Sequence, residues 1–226
     1  MSGSPAPTSG ETAAVDPGAF EVAAPVTLSG IWADLVITAP ERGARPLWKY
    51  GLGLLGAAVL SSSFHLMVIY RVGAFSQKLR LRPVAIVCEK LIQHLYFCFI
   101  PCRARIGPGL WLPHPVGIVF HPRTRIGQGV AVFQHAQVVT PGNEPWAGVI
   151  ADGATLGTTC VVLGRGCVGQ GSTIGAHAVV TKPVPARQAA MGAPATWRPL
   201  REGEGRTNYR LSERTRYLGG LPPAPR

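Results

Sequence analysis

Residues 150–185, IADGATLGTTCVVLGRGCVGQGSTIGAHAVVTKPVP, place an aliphatic side chain at every sixth position. The same spacing occurs upstream, with a shift of two residues between positions 118 and 126 and an interval of twelve between 138 and 150. The repeated positions are Ile106, Leu112, Ile118, Ile126, Val132, Val138, Ile150, Leu156, Val162, Val168, Ile174 and Val180. A period of six fits neither a helix, with about 3.6 residues per turn, nor an uninterrupted strand.

This repeat predicts short strands joined by tight corners, three hexads to a coil, so that the chain winds into a triangular prism. The aliphatic residues point inward and stack from one coil to the next, about 4.8 Å apart. The residue directly after each of them is often small, as at Ala151, Gly157, Gly169 and Gly175. We expect glycine there to supply the positive φ of the corners.

Two apolar helices are predicted before the prism, at residues 48–80 and 84–99, with Pro83 ending the first. Residues 51–70 are uncharged over a length that would just span a bilayer, but three serines and His65 interrupt them. A helix packed on protein or lying on a membrane surface is favoured over a membrane span. Peripheral membrane contact through residues 48–99 is therefore left open.

The chain is divided as follows: a disordered leader at 1–47, a helical region at 48–100, the prism at 103–186, a C-terminal cap at 187–200 and a disordered basic tail at 201–226. The two ends carry few large apolar side chains and cannot offset the entropy of ordering. The cap would cover the edge of the last coil.

The net charge of +11 raises the question of nucleic-acid binding. The basic residues are spread along the chain and match no nucleic-acid-binding motif, so no nucleic-acid partner is expected. The cysteines at 88, 98, 102, 160 and 167 lack paired spacing, which disfavours a disulfide framework or a metal site. Reduced cysteines and the lack of a signal peptide indicate a cytoplasmic protein, with membrane association left open.

Three motifs carry a family resemblance: IG-x-GL-x-L-x-H-x-x-GIV at 106–119, IGA-x-AVV-x-x-x-VP at 174–185 and MGAPA at 191–195. They resemble the hexapeptide-repeat acyltransferases, most closely the serine acetyltransferase branch, including its relatives that acetylate exopolysaccharide sugars such as colanic acid. The resemblance implies an all-β left-handed parallel β-helix after a short α-helical region. It also implies a homotrimer that uses acetyl-CoA as cosubstrate, with no metal.

Two histidines are candidate catalytic residues. His114 matches the catalytic base of the resembled family and occupies an outward-facing position of its hexad. Histidine suits the task of accepting a hydroxyl proton near neutral pH. With the shift placed after residue 118, Gln134 stacks over His114 one coil later, and His135 lies beside it, within about 5–7 Å of His114.

Several residues that hold serine in the resembled family are missing. The acid that orients the base would fall at Phe99, the acid before the base is Pro113, and an Arg-His pair falls near Trp146. A zwitterionic acceptor needs countercharges, so an uncharged or larger acceptor is favoured. Trp111, Gln134 and Trp146 are the candidate substrate-binding residues.

Coenzyme A would lie along the late coils by the same resemblance. Gly157, Thr158, Gly175 and Ala176 match the places where the pantetheine arm passes the backbone, and Lys182 would meet the phosphates. The main hypothesis is an acetyl-CoA-dependent O-acetyltransferase acting on a sugar hydroxyl in polysaccharide biosynthesis. Two alternatives remain: a serine O-acetyltransferase in cysteine biosynthesis, and a non-catalytic β-helix scaffold.

Overall fold

The computed structural model describes residues 30–38, 47–142 and 148–201. Four helices come first: α1 (Gly30–Thr38), α2 (Leu47–Leu60), α3 (Ser62–Lys78) and α4 (Arg82–Tyr96). The strands that follow are β1 (Arg105–Ile106), β2 (Val119–Phe120), β3 (Arg125–Ile126), β4 (Ala131–Val132), β5 (Gln137–Val139), β6 (Val149–Ile150), β7 (Thr155–Leu156), β8 (Val161–Leu163), β9 (Cys167–Val168), β10 (Thr173–Ile174), β11 (Val179–Val180), β12 (Gln188–Met191) and β13 (Thr196–Pro199). The disorder predicted for residues 1–29 and 202–226 lies outside the described part of the chain.

The strands form three parallel faces of a prism. One face has the strand order β1-β3-β6-β9, the second β13-β12-β10-β7-β4 and the third β11-β8-β5-β2. Among the strand pairs of the described residues, only the last, β12 with β13, is antiparallel, and it lies at the end of the second face. Its residues fall within the segment predicted to cap the prism.

The core of the prism consists of the predicted hexad positions. All twelve are at most 1% exposed, and their register follows the coil, with Val132 opposite Leu156 and Leu156 opposite Ile174. Cys160 is buried among them as a small apolar side chain. Burial raises the pKa of the Cys160 thiol to about 12, because the thiolate would lose its hydration.

Glycine follows the inward positions for a different reason than predicted. A Cβ on Gly157 would lie 2.6 Å from the carbonyl oxygen of Ile174 on the next coil, so the small residue permits coils to stack. The positive φ of this corner falls two residues later, as at Thr159 with φ 58°. The expectation that glycine at 157 supplies the positive φ is therefore wrong.

The predicted helix at 48–80 is broken into two helices at Ser61. This residue has extended backbone angles, and its Oγ accepts a hydrogen bond from the Phe64 amide at 3.2 Å. Ser61 is thus the N-cap of α3, and serine is a preferred residue at that position. α4 begins at Arg82 with Pro83 in its first turn, where a missing amide hydrogen does no harm.

Helix α1 lies inside the leader that was predicted to be disordered, and for residues 30–38 that prediction is wrong. Asp34 and Arg71 form a buried ion pair, with Nε to Oδ2 at 2.9 Å. The same guanidinium donates to the carbonyls of Ile106 and Gly107 at 2.6 Å, and Asp34 accepts from the Gly109 amide at 2.8 Å. α1 is therefore tied both to α3 and to the first coil of the prism.

Among the described residues, no single helix has the length and apolarity to cross a membrane. The pair Gly51–Leu60 and Ser62–Lys78 meets those criteria only when taken together, with a bend of 72° between them.

Candidate active site

The corner that carries His114 is two residues wider than a regular hexad. Phe120, not Ile118, pairs with Val138, so the inward positions Leu112 and Phe120 are eight residues apart. The two extra residues were predicted between positions 118 and 126, but they lie between positions 112 and 120, so that prediction is wrong. Ile118 and Phe120 are both buried, because alternate residues of an extended stretch face the same side. Apolar spacing alone cannot distinguish the two placements.

The wider corner changes which residues lie next to each other along the prism. The His135 amide donates to the carbonyl of Val116 at 2.9 Å, and the Thr159 amide donates to the carbonyl of Gln134 at 3.0 Å one coil later. Gln134 is therefore in register with Val116, and the prediction that it stacks over His114 is wrong. His114 lies two residues before this column, in the added part of the corner, and its side chain is exposed.

A cavity of about 350 Å³ borders His114. Its walls come from three places: the end of α1, the junction of α2 and α3, and the wide corner of the prism. The lining residues are Thr38, Leu60, Ser61, Ser62, Ser63, Trp111, Leu112, Pro113, His114 and Pro115. The cavity thus brings the predicted base together with Trp111, one of the predicted substrate-binding residues.

Hydrogen bonds fix the wall opposite His114. Ser63 is buried, and its Oγ accepts from the Leu112 amide at 3.1 Å, which joins the start of α3 to the residue two places before His114. Ser61 caps α3, whereas the Ser62 side chain is exposed at the cavity. Neither α1 nor the three serines were identified as part of the site from the sequence. The serine cluster was a usable signal, because it interrupts an apolar run.

Trp111 forms part of the cavity and is half-buried. Its ring meets the Phe133 ring edge to face, with centroids 6.1 Å apart, and it packs beside Ile37 of α1. The indole therefore lines the cavity and also supports helix α1. Trp146, the second predicted tryptophan, lies outside the described residues.

The cavity lining is uncharged apart from the titratable imidazole of His114. No Asp, Glu, Lys or Arg occurs among the described residues that line it. The other polar side chains of the lining are serine and threonine hydroxyls, which both donate and accept hydrogen bonds. Such a lining suits a hydroxyl-bearing acceptor.

His135 and Gln134 lie at the same corner as His114, one coil further along. The His135 ring packs on Gly117 so closely that a Cβ at residue 117 would collide with it. His135 has a φ of 58°, and its side chain is exposed. Gln134 Oε1 is buried and has no hydrogen-bond partner within the described residues. An amide oxygen in that state is available to a ligand that can donate a hydrogen bond.

Four of the five predicted coenzyme A residues, Gly157, Thr158, Gly175 and Ala176, lie on the later coils of this corner, whereas Lys182 lies at the next corner of the prism. The His177 amide donates to the carbonyl of Thr158 at 3.0 Å, so Thr158 and Ala176 continue the column of Val116 and Gln134. Lys182 is exposed just beyond β11. A Cβ at residue 157 or 175 would meet atoms of the next coil. Glycine at these positions is therefore explained by the stacking of the coils and is by itself no evidence of a ligand.

Asp152 and His121 lie away from this corner. Asp152 is at a different corner, where its Oδ1 accepts from the Gln128 amide at 2.9 Å. His121 Nδ1 accepts from the Arg123 amide at 3.2 Å. Within residues 30–38, 47–142 and 148–201, no three His, Cys, Asp or Glu side chains are grouped as metal ligands.

Curated relatives with similar sequence are serine acetyltransferases. That of Helicobacter pylori strain J99 is 30% identical over 159 residues, which cover 69% of this chain and 88% of the relative. That of Escherichia coli K12 is 33% identical over 137 residues, which cover 58% of this chain and 49% of the relative. The chain thus spans about half the length of the Escherichia coli protein. No protein-family profile matches the chain.

Solved structures of similar fold are serine acetyltransferases as well. Soybean serine acetyltransferase apoenzyme superposes with a TM-score of 0.66 at 27% identity, over 75% of this chain and 68% of that one. Neisseria gonorrhoeae serine acetyltransferase gives 0.65 at 25% identity, over 76% and 66%. The predicted fold class, a left-handed parallel β-helix preceded by a short helical region, is confirmed.

Proposed function

Because the chain belongs to the serine acetyltransferase family of hexapeptide-repeat acyltransferases, we propose that it transfers an acetyl group from acetyl-CoA to a hydroxyl. The observation that carries the proposal is the position of His114, which borders a cavity of about 350 Å³ lined by hydroxyl groups. The pantetheine arm of coenzyme A would lie along a neighbouring corner column, in which Gln134 and Thr158 are half-buried and Ala176 is exposed.

The reaction requires a general base and a thioester whose carbonyl carbon is in line with the attacking hydroxyl. The His114 imidazole takes the acceptor's hydroxyl proton while the hydroxyl oxygen attacks the thioester carbonyl carbon. The tetrahedral intermediate then collapses, the carbon–sulfur bond breaks, and the departing sulfur receives the proton from the imidazolium. The products are the O-acetyl ester and free coenzyme A. General base catalysis of this kind contributes about 10²–10⁴-fold to the rate.

Serine is the acceptor that the comparisons favour, since the relatives described above are serine acetyltransferases. They give no support to the sugar acceptor and the polysaccharide pathway that were the main sequence hypothesis. One observation still favours a neutral hydroxyl acceptor as a second candidate. The described lining of the cavity lacks the charged side chains that a zwitterion would need, and Pro113 stands directly before His114.

The test is release of free thiol from acetyl-CoA by the full-length protein, with serine and a panel of neutral sugars offered separately. Turnover with serine, reduced at least about 100-fold in His114→Ala, is the expected result. His121→Ala is the matched control, because that histidine lies at another corner, and it should retain wild-type turnover. Turnover with a sugar and not with serine would assign the acceptor to the second candidate. No release with any acceptor would leave only the scaffold alternative.

A homotrimer is part of this proposal, as is action in the cytoplasm. The exposed edge that carries His114 and His135 suits a site shared with a neighbouring prism. The expected result is a particle with three times the chain mass of 23.9 kDa in light scattering coupled to size-exclusion chromatography. A monomer with full thiol-release activity would contradict a site shared between chains.

A further inference from the structure

Exposed large apolar side chains concentrate on the helices. In the described part of the chain, fourteen of seventeen such side chains lie between residues 52 and 99, and only Val116 and Met191 lie beyond residue 100. Single exposed apolar residues are normal on any protein, but a concentration of this kind marks an interaction surface. The acyl-transfer chemistry proposed above does not account for it.

Helix α4 carries a wide apolar stripe made of two neighbouring rows. Ala85, Cys88 and Ile92 are buried and face the protein. The second row is exposed and occupies positions 84, 87, 91 and 95. Its spacing of three, four and four residues places all four side chains on one side of the helix. This row and the two leucines that lead into it form what we call the outer face of α4: Leu79, Leu81, Val84, Val87, Leu91 and Leu95, each between 42% and 60% exposed. The contacts within the described chain cover only the buried row of this stripe, so the exposed row beside it is left without a partner there.

The charges around the outer face have one sign. Lys78, Arg80, Arg82 and Lys90 are all exposed. From residue 47 to 105 the one acidic residue is Glu89, which is half-buried and accepts a hydrogen bond from the Cys102 amide at 2.8 Å. The partner of this face must therefore be both apolar and negatively charged.

A two-fold contact between two copies of the chain does not satisfy that requirement. In a two-fold contact the same patch faces itself, so the four cations would meet four cations without an exposed acid between them. An anionic bilayer offers acyl chains for the leucines and valines, and phosphates for the lysines and arginines. Helix α2 adds a similar row, since Leu52, Leu55 and Val59 are each about three-fifths exposed.

We propose that the outer face of α4, together with the cations at its start, docks on the surface of an anionic lipid bilayer. The proposal is independent of the acceptor and of the chemistry at His114. It predicts that the full-length protein sediments with vesicles of phosphatidylglycerol and phosphatidylcholine in equal parts and stays in the supernatant with phosphatidylcholine alone.

Two double variants test the two components of the surface. Lys78→Gln/Arg82→Gln should lower the partition coefficient on the order of tenfold or more, because each cation near an anionic surface contributes to binding. Leu91→Ser/Leu95→Ser should lower it similarly, and both leucines are exposed, so folding is preserved. The matched control is Arg123→Gln/Arg165→Gln, which removes the same charge from exposed positions on the prism and should bind like wild type.

Three outcomes would overturn the proposal. The first is that the protein does not sediment with the anionic vesicles, and the second is that Lys78→Gln/Arg82→Gln and Arg123→Gln/Arg165→Gln lower the partition coefficient equally. The third is that Leu91→Ser/Leu95→Ser binds vesicles like wild type but has a lower oligomer mass. The last outcome would assign the face to contacts between copies. Thiol release without vesicles separates this proposal from the enzymatic one. It should be unaffected in all three double variants, whereas His114→Ala should sediment like wild type.

Discussion

Left-handed backbone conformations recur along the edge of the prism that carries the candidate site. Gly117, His135, Thr159 and His177 have φ between 58° and 66° and occupy equivalent corner positions on successive coils. Three of the four are not glycine, although an L-residue in this conformation costs about 1–2 kcal/mol. Strain retained at the rim of a candidate site is consistent with side chains that are needed there.

Gly117→Ala tests how tightly this corner is built. The substitution combines the cost of a positive φ with a collision between the new Cβ and the His135 ring. We expect a loss of about 2–4 kcal/mol in the free energy of unfolding, measured by urea denaturation.

Gly142→Ala is the control, since that glycine has a φ of 61° and nothing within 4 Å of its Cβ position. It should cost only about 1–2 kcal/mol. In a His135→Gly background the cost of Gly117→Ala should fall to the same value. Equal costs for the two alanines in the wild-type background would show that the His135 ring does not fill this space.

At the scale of the elements, the strands are only two to four residues long, and their stability comes from the coils above and below. Gly157 shows how close those coils are, because its Cβ position lies 2.6 Å from a backbone oxygen and 2.9 Å from the Ala176 amide nitrogen. Backbone atoms cannot move aside as a flexible side chain can. The glycine is therefore required by the fold, whether or not coenzyme A passes it.

Gly157→Ala should lower the free energy of unfolding by about 1–3 kcal/mol through overpacking, with a visible fall in Tm. Gly153→Ala, where φ is 65° and the space is open, separates conformational strain from packing. If Gly157→Ala left stability unchanged but weakened coenzyme A binding, the coil contact would be refuted and a direct ligand contact favoured.

At the scale of the whole molecule, the buried pair of Asp34 and Arg71 joins the helices to the prism. It connects α1, α3 and the first coil, and α1 supplies Thr38 to the cavity beside His114. Burial raises the pKa of Asp34, while the guanidinium of Arg71 and the Gly109 amide act in the opposite direction.

Removing one member of the pair should be costly, because the other is left buried without a countercharge. We expect Arg71→Met or Asp34→Leu alone to lower the free energy of unfolding by about 3–5 kcal/mol in urea denaturation. The double variant Asp34→Leu/Arg71→Met should recover much of this loss. Additive single costs would show that the two side chains do not act as a pair.

The sequence by itself determined the prism and its core. Hexad periodicity is local, each coil contacts only its neighbours, and every repeated aliphatic position is buried. It also predicted His114 as the candidate base, since the motif around it is contiguous in the chain.

Only the tertiary structure decided where the two extra residues lie, because Ile118 and Phe120 are equally apolar and both fit the core. The attachment of α1 likewise depends on a contact across 37 positions, between Asp34 and Arg71, which no local pattern encodes. The cavity beside His114 depends both on the place of the two extra residues and on the attachment of α1. Its walls come from segments distant in the chain, and only their packing on the first coil brings Ser61, Ser62 and Ser63 next to the wide corner.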